Sequence, residues 1–516
     1  MKRRRYNYLF SLLAAFSLGI DQSDAFVQNQ SKFIAGRRAT ATITHSRVFS
    51  GHSRWLIKYH TSKINRCQSC IFGSRRGSTH KNKTSALETV SPIANAVLLI
   101  AGTTVGGGFL AIPSIVSPIG FVPSAAGLSG VWAFFVLQNF VLVDCISNAR
   151  KKTKLESEDE CENMGETVDK DDIDHPGIAA TAKSAFGRRG EYFVAALLAV
   201  LTEATLVSQI SRAGSLFPPS MYRIGCATVA LSIGAAVFGP RRGITSAPYL
   251  NSALTSVFII SSVLLFAAGL PSTDWSRLKA SSNVETWAVL PNAIPTFLQL
   301  LVYCEILPTV CRMLRYKKAS IRLAIVLGSL LPLLLEVSWA GLGIGLVPSG
   351  GLGDPVDFLL AAGPVKAPLF VLAISAILTT IIGSYLALQS IVDDIVPNEG
   401  GSKIGLTQNP PQWRRRLFSG ASIILPGLMI ASISPSLFLR AIDFAGSYPV
   451  LFLNGILPPA IALAQGNKMK KEGRTGTTQS KSIIIPLLGV SIFLIGASAV
   501  PDLMSFVKML QTLRSG

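Results

Sequence analysis

Apolar residues in this chain gather in long blocks, not in the three-to-four-residue rhythm of an amphipathic soluble helix. After residue 92 the blocks fall at 93–116, 121–147, 190–213, 222–238, 247–270, 287–311, 322–347, 367–391, 416–437, 439–465 and 482–507. Each is close to the ~20 residues that carry an α-helix across the hydrocarbon core. Eleven membrane-spanning helices are therefore predicted. Basic residues sort the connections into two classes: those after the even-numbered runs hold 24 Lys/Arg, the others six. The positive-inside rule puts the segment before the first run and all even connections on the cytoplasm-equivalent side. A missed or invented span would scramble this alternation, so the charge pattern supports the count.

Two of the runs are interrupted. The first contains Ile100–Ala101–Gly102–Thr103–Thr104–Val105–Gly106–Gly107–Gly108–Phe109–Leu110–Ala111–Ile112–Pro113, crowded at mid-span with residues that form continuous helix poorly. The sixth opens on Pro291–Asn292–Ala293–Ile294–Pro295 and continues through Tyr303–Cys304–Glu305–Ile306–Leu307–Pro308. A freed backbone group in hydrocarbon costs several kcal/mol unless protein, water or a ligand satisfies it, so broken helix at this depth points to a cavity. Matching interruptions five runs apart mark two inverted halves, 92–270 and 286–465, with half-helix ends facing a shared mid-membrane site. Half-helix N-termini offer N–H groups to a carboxylate, and C-termini offer carbonyls to an amine or cation. An amino acid carries both charges. The competing use of the glycines is close helix packing.

Composition agrees with a polytopic membrane protein: 49% hydrophobic residues, 15% charged and a mean hydropathy of +0.45. The net charge of +20 belongs mostly to the first 87 residues, which hold 16 Lys/Arg against two acids. Nucleic-acid binding therefore loses its main support, and no nucleic-acid partner is expected; the partners are a small-molecule substrate and the bilayer. Met1–Lys2–Arg3–Arg4–Arg5 followed by Leu9 to Phe16 has the basic head and short apolar core of a signal peptide, expected over 1–25. Residues 26–91 have the basic, Ser/Thr-rich composition of a transit peptide. In tandem, with Phe26 after the expected cleavage site, they resemble the bipartite leaders of algae with secondary plastids. That resemblance implies a plastid inner-envelope protein with its mature N-terminus in the stroma. After the second run, ten acids in the nineteen residues 156–174 predict a solvated, disordered insert over 154–175.

Cysteines and histidines carry little chemistry here. The close pair Cys67 and Cys70 lies in the leader with no second pair at zinc spacing, and no predicted span contains a histidine. No metal site, cofactor or catalytic group is expected, so a membrane-embedded enzyme is disfavoured.

The first-run motif resembles the signature of the hydroxy/aromatic amino acid permease family, the tryptophan and tyrosine permeases. Similar in order and spacing are Leu206 to Ser215, Pro295 to Pro308, Ala373 to Asp394 and Ala441 to Gly446. The resemblance covers residues 92–507. It implies an all-α polytopic membrane protein of LeuT-type 5+5 inverted-repeat fold with an eleventh helix appended. It also implies import of an aromatic, or other neutral, amino acid by proton symport and alternating access. Gly102, Thr103, Thr104, Gly106 and Gly107 would then form the unwound backbone that meets the substrate's carboxylate and amine. Tyr303, Cys304 and Glu305 would be their counterpart in the sixth helix. Cys304 stands where the bacterial pattern has a histidine.

The remaining polar groups in spans are functional candidates because each is costly there. Gln209 and Ser384 are assigned to the substrate site. Glu305 and Glu203 are the proton-coupling candidates, Glu305 first because it adjoins the break. Glu336 and Asp144 are read as interhelical hydrogen bonding or interface groups. The coupling ion is expected to be a proton, with sodium held by first-helix carbonyls and Ser384 as the alternative. A sodium-coupled or uncoupled carrier or channel on the same fold is the alternative function.

Overall fold

The computed structural model describes residues 92–164, 176–238, 243–280, 284–347, 356, 359, 365–395, 412–471 and 481–515. The signal- and transit-peptide expectations over 1–91 lie outside the described residues. We number the membrane-crossing elements α1 to α11. The first, α1, has two halves, Pro92–Thr104 (α1a) and Gly107–Val116 (α1b), bent by 46° at the break. There follow α2 (Phe121–Met164), α3 (Ile178–Ser215), α4 (Tyr222–Phe238) and α5 (Gly243–Gly269). The sixth, α6, is broken into Ile294–Leu300 (α6a) and Leu307–Met313 (α6b). Next come α7 (Lys318–Leu346), α8 (Lys366–Ile395) and α9 (Gln412–Ala431). The tenth, α10, joins Leu437–Ala445, a π-helical stretch Gly446–Ile456 and Leu457–Lys471, and α11 is Lys481–Ser515.

Among the described residues nine helices are long and apolar enough to cross a membrane, and the bent pair in α1 makes a tenth. Helix α9, at the place of the ninth predicted span, has a shorter apolar part, Gly420–Ala431. The ninth apolar run predicted helix to residue 437, but α9 stops at Ala431. Beyond it the Ser432 hydroxyl donates back to the Leu428 carbonyl, Ser434 and Ser436 bond to each other, and Pro435 has no N–H to continue a helix.

The packing repeats with a period of five helices. Helix α3 packs on α10 as α8 packs on α5, and α1 on α7 as α6 on α2. The pairs α3–α4 and α8–α9 correspond in the same way, as do α3–α9 and α8–α4. Because five crossings are an odd number, the second set of five enters the bilayer from the opposite side. The fold is thus a LeuT-type 5+5 inverted repeat, with α11 added against the π-helical stretch of α10. That stretch contains Pro449, which lacks the N–H a regular ladder needs. It begins at Gly446, where a Cβ would lie 1.7 Å from the Pro295 carbonyl oxygen, so α10 touches the backbone entering α6a.

Two further expectations are resolved here. The acidic insert is corrected over its first part: α2 stays helical to Met164, and 165–175 lie outside the described residues. Lys151, Lys152 and Lys154 ahead of Glu156, Glu158 and Glu160 supply good helix formers with opposite charges at neighbouring turns. Asp144 is an interface group: it is buried on α2 and pairs with Lys318 Nζ at 2.6 Å and Arg322 at 3.7 Å, both on α7.

Candidate functional site

At the end of α1a the threonines turn back on their own helix. The Thr103 hydroxyl lies 2.9 Å from the Leu99 carbonyl and 3.0 Å from that of Ile100, and the Thr104 hydroxyl donates to Ile100 at 2.8 Å. The last helical bond is from Val105 N–H to the Ala101 carbonyl. The carbonyls of Gly102, Thr103, Thr104 and Val105 accept no hydrogen bond among the described residues, leaving a negative half-helix end. On the other side Gly106 is extended (φ −136°, ψ −165°) and the Gly107 N–H donates to Thr380 Oγ1 of α8 at 2.9 Å. The Phe109 carbonyl accepts from Trp339 Nε1 of α7 at 3.0 Å, and the two rings stack with centroids 5.3 Å apart. The freed Gly107 N–H is thus met by α8 on the α1b side, whereas the carbonyls on the α1a side are left open.

The break in α6 is complementary. Helix α6a ends with Leu301 N–H on the Phe297 carbonyl, and order resumes in a 3-10 turn, Cys304–Ile306, with Ile306 N–H on the Tyr303 carbonyl. Between them Tyr303 is non-helical (φ −152°, ψ 14°). The N–H groups of Val302 to Glu305 make no backbone hydrogen bond among the described residues, so α6b begins with donors facing the gap.

A cavity of 730 Å³ joins the two breaks. Its wall takes in Gly102 to Gly108, one face of α3 (Leu201, Thr202, Thr205, Ser208, Gln209), Phe258 of α5, and Thr380 and Ser384 of α8. It runs on to Gly177 and Ile178 at the start of α3 and to Arg312 at the end of α6b. It therefore leads toward the end of the bundle that carries the basic, even-numbered connections.

The sequence-predicted residues divide. Gly102, Thr103, Thr104, Gly106, Gly107, Gln209, Tyr303, Glu305 and Ser384 all line this cavity. Gln209 lies directly over the break, where a Cβ on Gly107 would come within 1.7 Å of its Oε1. Glu305 lies deep in the bundle yet is solvent-accessible, because its side chain projects into the cavity. The buried Tyr303 hydroxyl is directed at Asn139 of α2 and Ser329 of α7 without closing a hydrogen bond of good geometry. Two placements differ from expectation. Cys304 is fully buried off the cavity wall, beside Asn454 of α10. Glu203 is also off the wall, its Oε2 facing α9, where a Cβ on Gly427 would lie 3.2 Å away. Glu336, read as an interhelical group, is buried on α7 off the wall, and its Oε2 has no hydrogen-bond partner among the described residues. Sequence reasoning missed Thr380, Thr205 and Gln299. Gln299 was open to the same reasoning as Gln209, a polar side chain inside a span, whereas Thr380 carries no local signal in its apolar run.

Free carbonyls on α1a and free N–H groups on α6b, across one cavity, suit a ligand bearing a cationic and an anionic group close together. Among the described residues no three His, Cys, Asp or Glu side chains are grouped to hold a metal ion.

Tyrosine-specific transport system 1 of Haemophilus influenzae is 22% identical over 366 residues, which cover 68% of this chain and 83% of that protein. Tyrosine-specific transport system 2 of the same organism is 26% identical over 250 residues, covering 47% of this chain and 56% of that protein. Among solved structures, the manganese transporter of Eremococcus coleocola, in complex with an aromatic bis-isothiourea substituted compound, is similar at 13% identity and a TM-score of 0.46, covering 79% of this chain and 85% of that one. The profile of the tryptophan/tyrosine permease family matches residues 90–497, and the chain belongs to that family of amino acid transporters.

Proposed function

We propose that this protein imports aromatic amino acids by proton symport, alternating access between the two sides of the membrane around the paired breaks of α1 and α6. The observation that carries the reading is the position of Glu305: it lies in the 3-10 turn just before α6b, lines the cavity, and its turn packs against α1a. Protonation there changes the charge beside the ligand's own charged groups, which is the coupling a symporter needs. Tyrosine-specific relatives support the aromatic class. In proteoliposomes, labelled tyrosine, tryptophan and phenylalanine should be taken up saturably and accumulate when a pH gradient is imposed. Glu305→Gln should abolish gradient-driven accumulation while leaving exchange. Absence of saturable uptake of any amino acid would sink the proposal.

Sodium coupling is favoured by a different observation, the carbonyls of Gly102 to Val105 at the end of α1a, unpaired among the described residues, in a cavity that Ser384 also lines. A sodium gradient imposed at constant pH separates the two: accumulation under that condition alone selects sodium. As a separate part of the proposal, the leader directs the protein to a plastid inner envelope with the even connections in the stroma. A fluorescent fusion of residues 1–92 found outside the plastid would overturn that address.

A further inference from the structure

Two glutamines of the cavity wall are held so that each keeps its carbonyl oxygen, not its NH2, buried and without a hydrogen-bond partner among the described residues. On α3 the Thr205 hydroxyl donates its single proton to the Leu201 carbonyl at 3.0 Å, so its oxygen has only acceptor capacity left. Gln299 of α6a occupies that capacity with Nε2 at 3.1 Å. The amide is thereby oriented, and Oε1, buried and without a hydrogen-bond partner among the described residues, is the end left over. The arrangement repeats one turn along α3. The Ser208 hydroxyl donates to the Thr205 carbonyl at 2.7 Å and accepts from Gln209 Nε2 at 3.0 Å, and Gln209 Oε1 is again buried and unpaired. A ligand that supplies hydrogens to these oxygens relieves an unmet acceptor; one that lacks them leaves it unmet.

The two positions are not equivalent. Gln209 Oε1 lies over Gly107, at the break that suits the ligand's charged groups. Gln299 is tied to Thr205, one turn of α3 away from Gln209, on a wall shared with the apolar Leu201 and Phe258. We propose that Gln299, positioned by Thr205, accepts the phenolic O–H or indole N–H of the bound side chain and so selects tyrosine and tryptophan over phenylalanine. This rests on the aromatic-carrier reading above. A site built to bond a hydroxyl rejects the analogue without it far better than an apolar pocket rejects a change of one methylene.

The test is competition against labelled tyrosine uptake in proteoliposomes of the intact protein. On the unaltered protein, phenylalanine and 4-fluorophenylalanine should compete at least about tenfold more weakly than unlabelled tyrosine, the worth of one hydrogen bond to a buried acceptor. Gln299→Met, similar in length but without the acceptor, should bring that preference down by about tenfold. Thr205→Val, which frees the amide to turn, should lower the preference by a smaller factor, and Thr205→Ser should restore it. Equal competition by tyrosine and 4-fluorophenylalanine on the unaltered protein overturns the inference, and needs no variant to fold. So does a Gln299→Met protein that weakens tyrosine and phenylalanine by the same factor. Absence of saturable uptake of every amino acid overturns the carrier reading itself, and is distinct from both of those results.

Discussion

The backbone N–H of Gly107 donates to the hydroxyl of Thr380 across 273 positions of sequence, tying the break of α1 to the middle of α8. The hydroxyl in turn donates to the Ala376 carbonyl at 2.8 Å, so its remaining capacity is that of an acceptor. Thr380→Val keeps the shape and removes the acceptor, leaving a part-buried N–H unpaired at a cost of about 1–3 kcal/mol. The expected result is a roughly tenfold or greater weakening of the tyrosine concentration dependence of uptake. Thr380→Ser should recover most of it. Wild-type affinity in Thr380→Val would mean that this bond does not position the break.

Glycines within the motif should differ sharply. A Cβ at Gly102 meets nothing within 4 Å, while one at Gly107 falls on the Gln209 amide, within 1.7 Å of Oε1. Gly102→Ala should be neutral or raise the melting temperature in detergent, because alanine is the better helix former by about 1 kcal/mol. Gly107→Ala should lower it and displace Gln209. Equal thermal behaviour of the two variants would show that the tight contact at Gly107 yields without cost.

Much of this architecture was legible because membrane spans are written in composition and breaks are written in Gly, Thr and Pro. The paired interruptions of α1 and α6, and hence the cavity between them, follow from that local chemistry alone. Rotation of a helix about its axis does not. Cys304 and Glu305 are neighbours, about 120° apart around the 3-10 turn that holds them, and one lies beside Asn454 while the other lines the cavity. For the same reason the sequence does not say which way Glu203 turns on α3, and its Oε2 faces α9 at Gly427. Thr380 was invisible because its partner is a backbone N–H freed only when α1 bends. The helical start of the acidic insert is hidden by its high net charge, because the charge resides on Lys and Glu, which are themselves good helix formers.

Asp144 offers a test of how α2 is anchored to α7. Its carboxylate is mostly buried and has Lys318 at 2.6 Å and Arg322 at 3.7 Å, and Arg322 also lies over the Phe140 ring at 5.6 Å. Removing one member of such a pair leaves the other charge less compensated. Asp144→Asn should destabilise by about 1–3 kcal/mol, and the Asp144→Asn/Lys318→Met pair should lose less than the sum of the single changes. Strict additivity in thermal unfolding would mean the ion pair is not coupled.

The direction in which the cavity opens can be measured with thiol chemistry. Among the described cysteines Cys145, Cys226, Cys304 and Cys311 are buried, so once Cys67, Cys70 and Cys161 are replaced by serine an introduced cysteine on the cavity path stands out against them. Thr309 is exposed and lines the route from Glu305 to Arg312. Thr309→Cys should react with a membrane-impermeant maleimide added to the side of the even connections and resist it from the other. Thr103 is exposed beside the unpaired carbonyls, so Thr103→Cys should react from that same side and be shielded by bound tyrosine. Shielding at 103 without shielding at 309 would locate the ligand at the break rather than along the path. Reaction of Thr309→Cys from the opposite side only would reverse the assignment of the open end, and with it the orientation read from the basic connections.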